Sequence, residues 1–426
     1  MKIEPATSLR GHISVPGDKS ISHRAVLIGA IAEGEMRIEG FGRSADTEST
    51  LAAVRVLGVT VHEDDVDTIR IEGAGLRSLH EPAGAIDCGN SGTTLRLLAG
   101  ILAGQQGRFE LTGDESLRRR PVDRVAEPLT QMGARVETAD GKPPLVVEGG
   151  ELQGVLYELP VASAQVKSCV LHAGLYAQGR TTVVEPVPTR DHTERLLAAA
   201  GAPVTKRPGR VAVGPAERLQ LGEVSVPGDF SAAAPFIVAA TLLPGSELTI
   251  HNVGLNPTRT GLLDVLERMG ARITTFHRQR AGGEPVGDVE VHSAELTATT
   301  VRPEEIPRLV DELPLFALAA ACARGESRVE GARELRVKET DRIETVTTAL
   351  RSLGVRITPR DDGFRVRGVP TRPRGGAVNS QGDHRIAMLG AVAGLISSKG
   401  VDLEGAEAVA VSFPGFFELL DSVTQR

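Results

Sequence analysis

Leu266-Glu-Arg-Met-Gly-Ala-Arg-Ile273 reads as the end of one element and the start of the next. Leu266 and Met269 stand three apart, the spacing of neighbours on one helical face. Gly270 suits the left-handed residue that caps a helix, and Ile273 is the β-branched kind that opens a strand. The same punctuation recurs in Leu51-Ala-Ala-Val-Arg-Val-Leu-Gly-Val59, Leu129-Thr-Gln-Met-Gly-Ala-Arg-Val136, Leu196-Leu-Ala-Ala-Ala-Gly-Ala-Pro-Val204 and Leu350-Arg-Ser-Leu-Gly-Val-Arg-Ile357. Its period of roughly 65 to 85 residues is longer than that of most solenoids and implies recurring supersecondary units.

A longer echo pairs Val15-Pro-Gly-Asp-Lys-Ser20 with Val226-Pro-Gly-Asp-Phe-Ser231, each leading into an Ala-rich helical stretch. The chain therefore reads as duplicated, three repeat units to a half, with these two segments as equivalent connections whose Pro and Gly suit a crossing or hinge. Strand candidates at 145–148, 182–185, 247–250 and 364–367 alternate with the helices, which makes the fold class α/β. The expected division is a domain over 17–226 and a discontinuous one over 1–16 plus 227–426.

The size, 426 residues, favours two cores over one. Hydrophobic residues at 41% and charged ones at 24% are the proportions of a globular protein. A net charge of -7 and the absence of Trp argue against a nucleic-acid partner. Cys88, Cys169 and Cys322 are too scattered for a disulfide framework or a zinc site. A reducing cytoplasm is the expected location. Residues 1–10 carry no apolar core of signal-peptide length and the run 315–323 is too short to span a bilayer, so neither export nor a membrane is expected.

Several segments put a cation just after small, capping residues: Ser20-Ile-Ser-His-Arg24, Asn90-Ser-Gly-Thr-Thr-Leu-Arg96, Ser163-Ala-Gln-Val-Lys167, Thr340-Asp-Arg342 and Gln381-Gly-Asp-His-Arg385. With Ser20 or Ser22 as N-cap, Arg24 falls in a first helical turn, where the helix dipole disfavours a positive charge by up to about 1 kcal/mol unless an anion intervenes. One such segment means an ordinary capped helix with a solvated cation, and that is the local reading of Ser163 and Lys167. Recurrence points instead to several helix starts aimed at a small bound anion.

Five ordered segments resemble the signature of the 5-enolpyruvylshikimate-3-phosphate synthase family: Pro16-Gly-Asp-Lys-Ser-Ile-Ser-His-Arg24, Asn90-Ser-Gly-Thr-Thr-Leu-Arg96, Leu117-Arg-Arg-Arg-Pro121, Arg336-Val-Lys-Glu-Thr-Asp-Arg342 and Asp383-His-Arg-Ile-Ala-Met388. The resemblance implies a two-domain inverted α/β barrel of six βαβαββ-like units, three per domain. It implies transfer of an enolpyruvyl group from phosphoenolpyruvate to shikimate 3-phosphate without metal or organic cofactor, by a protein expected to be a monomer. It assigns Lys19, Gly92, Arg120, Gln165, Arg342 and Arg385 to phosphoenolpyruvate, and Lys19, Ser20, Arg24, Ser163, Gln165, Asp311 and Lys338 to shikimate 3-phosphate. The 17–226 domain is then the shikimate 3-phosphate side, and the other contributes phosphoenolpyruvate-binding and acid/base residues. Two opposed proton transfers are needed. Asp311 is the base candidate, and Glu339 protonates the methylene carbon, with Lys19 able to share that work. The halves are expected to close around the ligands.

Local readings differ for some of these. Asp311 alone reads as an acid introducing the helix near Pro314, Lys338-Glu339 as a solvated turn, and the run 118–120 as a solvated basic patch in which only Arg120, before Pro121, fits the family. Ile343, Val346, Leu350 and Leu353 mark the buried face of the helix after Arg342. Val411 stands where the family often has Lys, Glu334 where some members have Asn, Ala164 in place of a second Ser, and Leu97 where some have Pro. Two rivals remain. A related transferase acting on UDP-N-acetylglucosamine would carry a loop cysteine, and no Cys lies between 104 and 142. A non-catalytic anion-binding module of this fold would not need Asp311, Lys338 and Glu339 together.

Overall fold

The computed structural model describes residues 1–426. Two compact units emerge, one made of Gly17–Val226 with Arg280–Glu284, the other of Met1–Pro16, Pro227–Gln279 and Pro285–Arg426. The chain changes unit inside both Val-Pro-Gly-Asp segments. Residues 280–284, which the sequence division leaves in the discontinuous unit, group with the continuous one because Glu284 is buried there against His192, Nδ1 to Oε1 2.8 Å.

All five repeated segments end a helix as their sequences require. The helices are Ala45–Val56, Asp123–Gln131, His192–Ala199, Gly261–Met269 and Arg342–Ser352. The glycines that follow, Gly58, Gly133, Gly201, Gly270 and Gly354, have φ of 95, 105, 86, 100 and 83°. In each case the next residue donates its N–H to the carbonyl five residues back, at 2.9 to 3.1 Å. That is the Schellman closure, which satisfies orphan carbonyls at the helix end and turns the chain into a strand.

The continuous unit holds three four-stranded sheets, each opened by a parallel pair and completed by two antiparallel strands. In order across each sheet they are Glu223–Ser225, Glu33–Glu39, Ile69–Ala74 and Thr60–Glu63, then Ile86–Asp87, Arg108–Thr112, Lys142–Glu148 and Arg135–Ala139, then Leu156–Glu158, Thr181–Val184, Arg210–Val213 and Val204–Arg207. The discontinuous unit has a five-stranded sheet that includes Ser8–Ser14 and Glu247–Gly254, a four-stranded sheet on Gly325–Val329, and a three-stranded sheet on Val401–Glu404. The strand candidates of the sequence lie in these sheets, with Glu185 just past the end of Thr181–Val184.

Each unit has its own hydrophobic core. Three helices per unit are buried almost all round: Lys19–Ala30, Gly92–Leu102 and Ala164–Gly174 in one, Phe230–Leu242, Leu313–Cys322 and His384–Ile396 in the other. Phe230–Leu242 and Leu313–Cys322 are apolar on every face, which is what full burial demands, whereas the other four also bury charged side chains, Arg24, Arg96, Lys167 and Arg385 among them. The repeat-ending helices are amphipathic. Ile343, Val346, Leu350 and Leu353 are buried, as their spacing predicts. No helix is long and apolar enough to cross a membrane.

Candidate active site

In the continuous unit the helix starts differ from the sequence expectation in one respect. The N-cap of Lys19–Ala30 is Asp18, whose carboxylate accepts the Ile21 N–H at 2.9 Å, and not Ser20 or Ser22. Asp229 does the same for Ser231 at 2.7 Å. A carboxylate at a helix N-terminus also meets the positive end of the dipole, so the Asp of Val-Pro-Gly-Asp starts the helix earlier. Arg24 consequently lies in the second turn. Ser22 instead accepts the Gly42 N–H at 2.9 Å.

Lys19, the first helical residue, meets Asp46 Oδ2 at 2.7 Å. Arg24 is buried, donating to Thr193 Oγ1 at 2.7 Å, the Ser20 carbonyl at 2.8 Å and Ser168 Oγ at 3.0 Å. Burial first, and then the charge of Arg190, lower its pKa to about 10. Arg190 also reaches Ser20 Oγ at 3.4 Å. Ser163 caps Ala164–Gly174 as expected, but Lys167 is not solvated. It is fully buried between Glu194 at 2.8 Å and Glu185 at 3.0 Å, because two carboxylates from further along the chain offset its desolvation.

Gly92 is the first residue of its helix, behind the Ser91 cap. A Cβ there would lie 2.6 Å from Arg96 Nη1, so the missing side chain makes room for that guanidinium, while Arg120 Nη1 would be in ordinary contact at 3.6 Å. Arg96 Nη1 donates to Gln165 Oε1 at 2.8 Å, and Gln165 Nε2 to Thr93 Oγ1 at 3.0 Å. Arg120 turns inward to Asn90 Oδ1 at 2.6 Å and Ser116 Oγ at 3.2 Å. Arg118 and Arg119, the latter paired with Glu115, are the exposed members of the run.

In the discontinuous unit a second charged group assembles. Asp341 caps Arg342–Ser352 and Asp383 caps His384–Ile396. Arg342 is buried and donates from Nε and Nη2 to Asp383 at 2.8 and 3.2 Å, and from Nη2 to Glu339 Oε2 at 2.6 Å. Its Nη1 stands 3.5 Å from Asp311 Oδ1. Lys338 Nζ and Arg259 Nη1 lie 3.8 and 3.9 Å from the Asp311 carboxylate. Lys338-Glu339 is thus no solvated turn: both side chains are partly buried and face partners. Arg385 Nη1 donates to the Ser231 carbonyl at 3.2 Å and stands 4.0 Å from the wholly buried Glu312. Burial by itself would raise the Asp383 carboxyl, but the adjoining Arg342 charge outweighs it and holds the pKa below the usual value. Arg342 is shifted the opposite way, since Asp383, Glu339 and Asp311 overcome its desolvation.

Sequence reasoning left out Asp46, Arg96, Arg190, Arg259, Glu312 and Asp383. Arg96 and Asp383 stood inside quoted motifs without a role. Arg190 and Arg259 share a signal that could have found them, the tripeptide Pro-Thr-Arg at 188–190 and again at 257–259. Asp46 and Glu312 carry no such local mark. Glu334 falls in a short 3-10 turn, Arg333–Val337, and Val411 ends another, Ala406–Val411.

The model of the family described as EPSP synthase (3-phosphoshikimate 1-carboxyvinyltransferase) matches residues 3–420. The 3-phosphoshikimate 1-carboxyvinyltransferase of Alkalilimnicola ehrlichii is 50% identical over 98% of this chain and 94% of its own length. That of Desulforudis audaxviator is 50% identical over 99% of both. Among solved structures, an EPSP synthase from Acinetobacter baumannii superposes with a TM-score of 0.88 at 42% identity, over 99% of this chain and 97% of that one. The enolpyruvyl transferase NikO from Streptomyces tendae, 19% identical over 99% of this chain and 96% of its own, shares the mixed α/β fold with a TM-score of 0.80. This chain belongs to the EPSP synthase family.

Proposed function

We propose that this chain transfers the enolpyruvyl group of phosphoenolpyruvate to the 5-hydroxyl of shikimate 3-phosphate and releases phosphate. The observation that carries the reading is the family match over residues 3–420, together with relatives half identical along the whole chain. The 5-oxygen loses its proton to Asp311 and bonds to the central carbon of phosphoenolpyruvate, while the methylene carbon gains a proton from Glu339, helped by Lys19. The tetrahedral adduct then expels phosphate as the new methyl group gives a proton back. Lys19, Gly92, Arg120, Gln165, Arg342 and Arg385 bind phosphoenolpyruvate. Lys19, Ser20, Ser163, Gln165, Asp311 and Lys338 bind shikimate 3-phosphate. Arg24, which also donates to Ser20, Ser168 and Thr193, belongs to the same shikimate 3-phosphate-binding set.

The continuous unit is the shikimate 3-phosphate side. The discontinuous unit contributes phosphoenolpyruvate-binding and acid/base groups. Three sheets in each support a description as six βαβαββ-like units in an inverted α/β barrel. The protein acts as a monomer in the cytoplasm. A phosphate-release assay with phosphoenolpyruvate, offering shikimate 3-phosphate or UDP-N-acetylglucosamine as acceptor, tests the reading. Release only with shikimate 3-phosphate supports it. Release only with the nucleotide sugar, or with neither, overturns it.

A further inference from the structure

Asp383 has no place among the groups proposed to touch substrate, yet it is wholly buried and makes four contacts on its two oxygens. Oδ2 accepts from Arg342 Nε at 2.8 Å and Thr340 Oγ1 at 3.1 Å. Oδ1 accepts from Arg342 Nη2 at 3.2 Å and from the Arg385 backbone N–H at 2.9 Å. One carboxylate thus grips the guanidinium of Arg342 and starts the helix that carries Arg385. Engaging the Nε and Nη2 edge fixes the plane of the guanidinium and turns Nη1 away from Asp383. That nitrogen stands 3.5 Å from Asp311 Oδ1. A buried ion pair of this kind is weak evidence of stabilisation, since desolvating both charges costs about as much as their attraction returns. Its value lies in orientation, because Nη1, the nitrogen outside that grip, presents its N–H groups to an anion in a direction fixed by the plane of the guanidinium.

We infer that Asp383 is the positioning residue for phosphoenolpyruvate recognition: it aims Arg342 and Arg385 together. The inference rests on the activity proposed above. Its test is steady-state kinetics of full-length Asp383→Asn, varying each substrate in turn. Asn is as good an N-cap as Asp, so the helix start is kept while the charge gripping Arg342 is lost. KM for phosphoenolpyruvate is expected to rise roughly ten- to a hundredfold, the range for losing a hydrogen bond to a charged group, with KM for shikimate 3-phosphate within about threefold. Thr340→Val gives a second, milder reading should the Asn variant fail to fold. It removes one hydrogen bond from the same carboxylate, and a selective rise of roughly two- to fivefold in the same KM is expected. An unchanged KM for phosphoenolpyruvate, or equal rises for both substrates, overturns the inference. The wild-type chain runs in the same assay: if it is inactive, the activity and the inference fall together, whereas an active wild type beside an unselective variant removes Asp383 alone.

Discussion

Asp311 faces three cations, Arg342 at 3.5 Å, Lys338 at 3.8 Å and Arg259 at 3.9 Å. Asp311→Asn keeps its size but leaves a group that takes no proton. Turnover should fall by roughly a hundredfold or more while both KM values move only a few-fold, since general-base catalysis is worth about that much. Near-normal kcat would remove Asp311 from the chemistry. Two histidines make a separate prediction about pH. Burial lowers the pKa of His23 to about 3 and that of His172 to about 4, from 6.5. Their folded-state values lie below the unfolded one, so the unfolded chain takes up protons first as pH falls. Stability is therefore highest above pH 6.5 and declines as pH drops towards 4, by up to about 1.4 kcal/mol per pH unit for each histidine. Urea midpoints measured from pH 7.5 to 4.5 should decrease steadily over the acid part of that range, and a level profile would contradict neutral burial of both rings.

Helix ends set the next scale. Gly201 has φ of 86° and open space around the position of a Cβ, so Gly201→Ala isolates the cost of the left-handed backbone from any clash. A loss of about 1–2 kcal/mol is expected from calorimetry or denaturant titration. An unchanged midpoint would mean that the Schellman closure tolerates an ordinary residue. The five glycines were legible because a cap needs only the local chain. The Asp caps at 18 and 229 were equally local, but Ser20 and Ser22 offered competing hydroxyls.

Over the whole molecule, the apolar side chains divide into two cores with separate membership. Heat unfolding of the unliganded protein is accordingly expected to depart from a single all-or-none transition, with a calorimetric enthalpy well above the van't Hoff value. Equality of the two would show that the cores melt as one. The positions at which the chain changes unit were marked in the sequence by the two Val-Pro-Gly-Asp segments. The grouping of 280–284 was not, because it depends on Glu284 finding His192 across some ninety residues of sequence.

The amino-acid order alone determined where helices end, where strands begin, and which motifs carry cations and carboxylates. All of these follow from backbone preferences and patterns spanning a few residues. Only the tertiary structure decided which charge meets which. Lys167 reads as solvated until Glu185 and Glu194 enclose it, and Arg342 has no visible anchor until Asp383 arrives from 41 residues later. Burial makes those pairings obligatory, because a charge removed from water must find a partner. The partner is chosen by proximity in the fold, which no local stretch of sequence encodes.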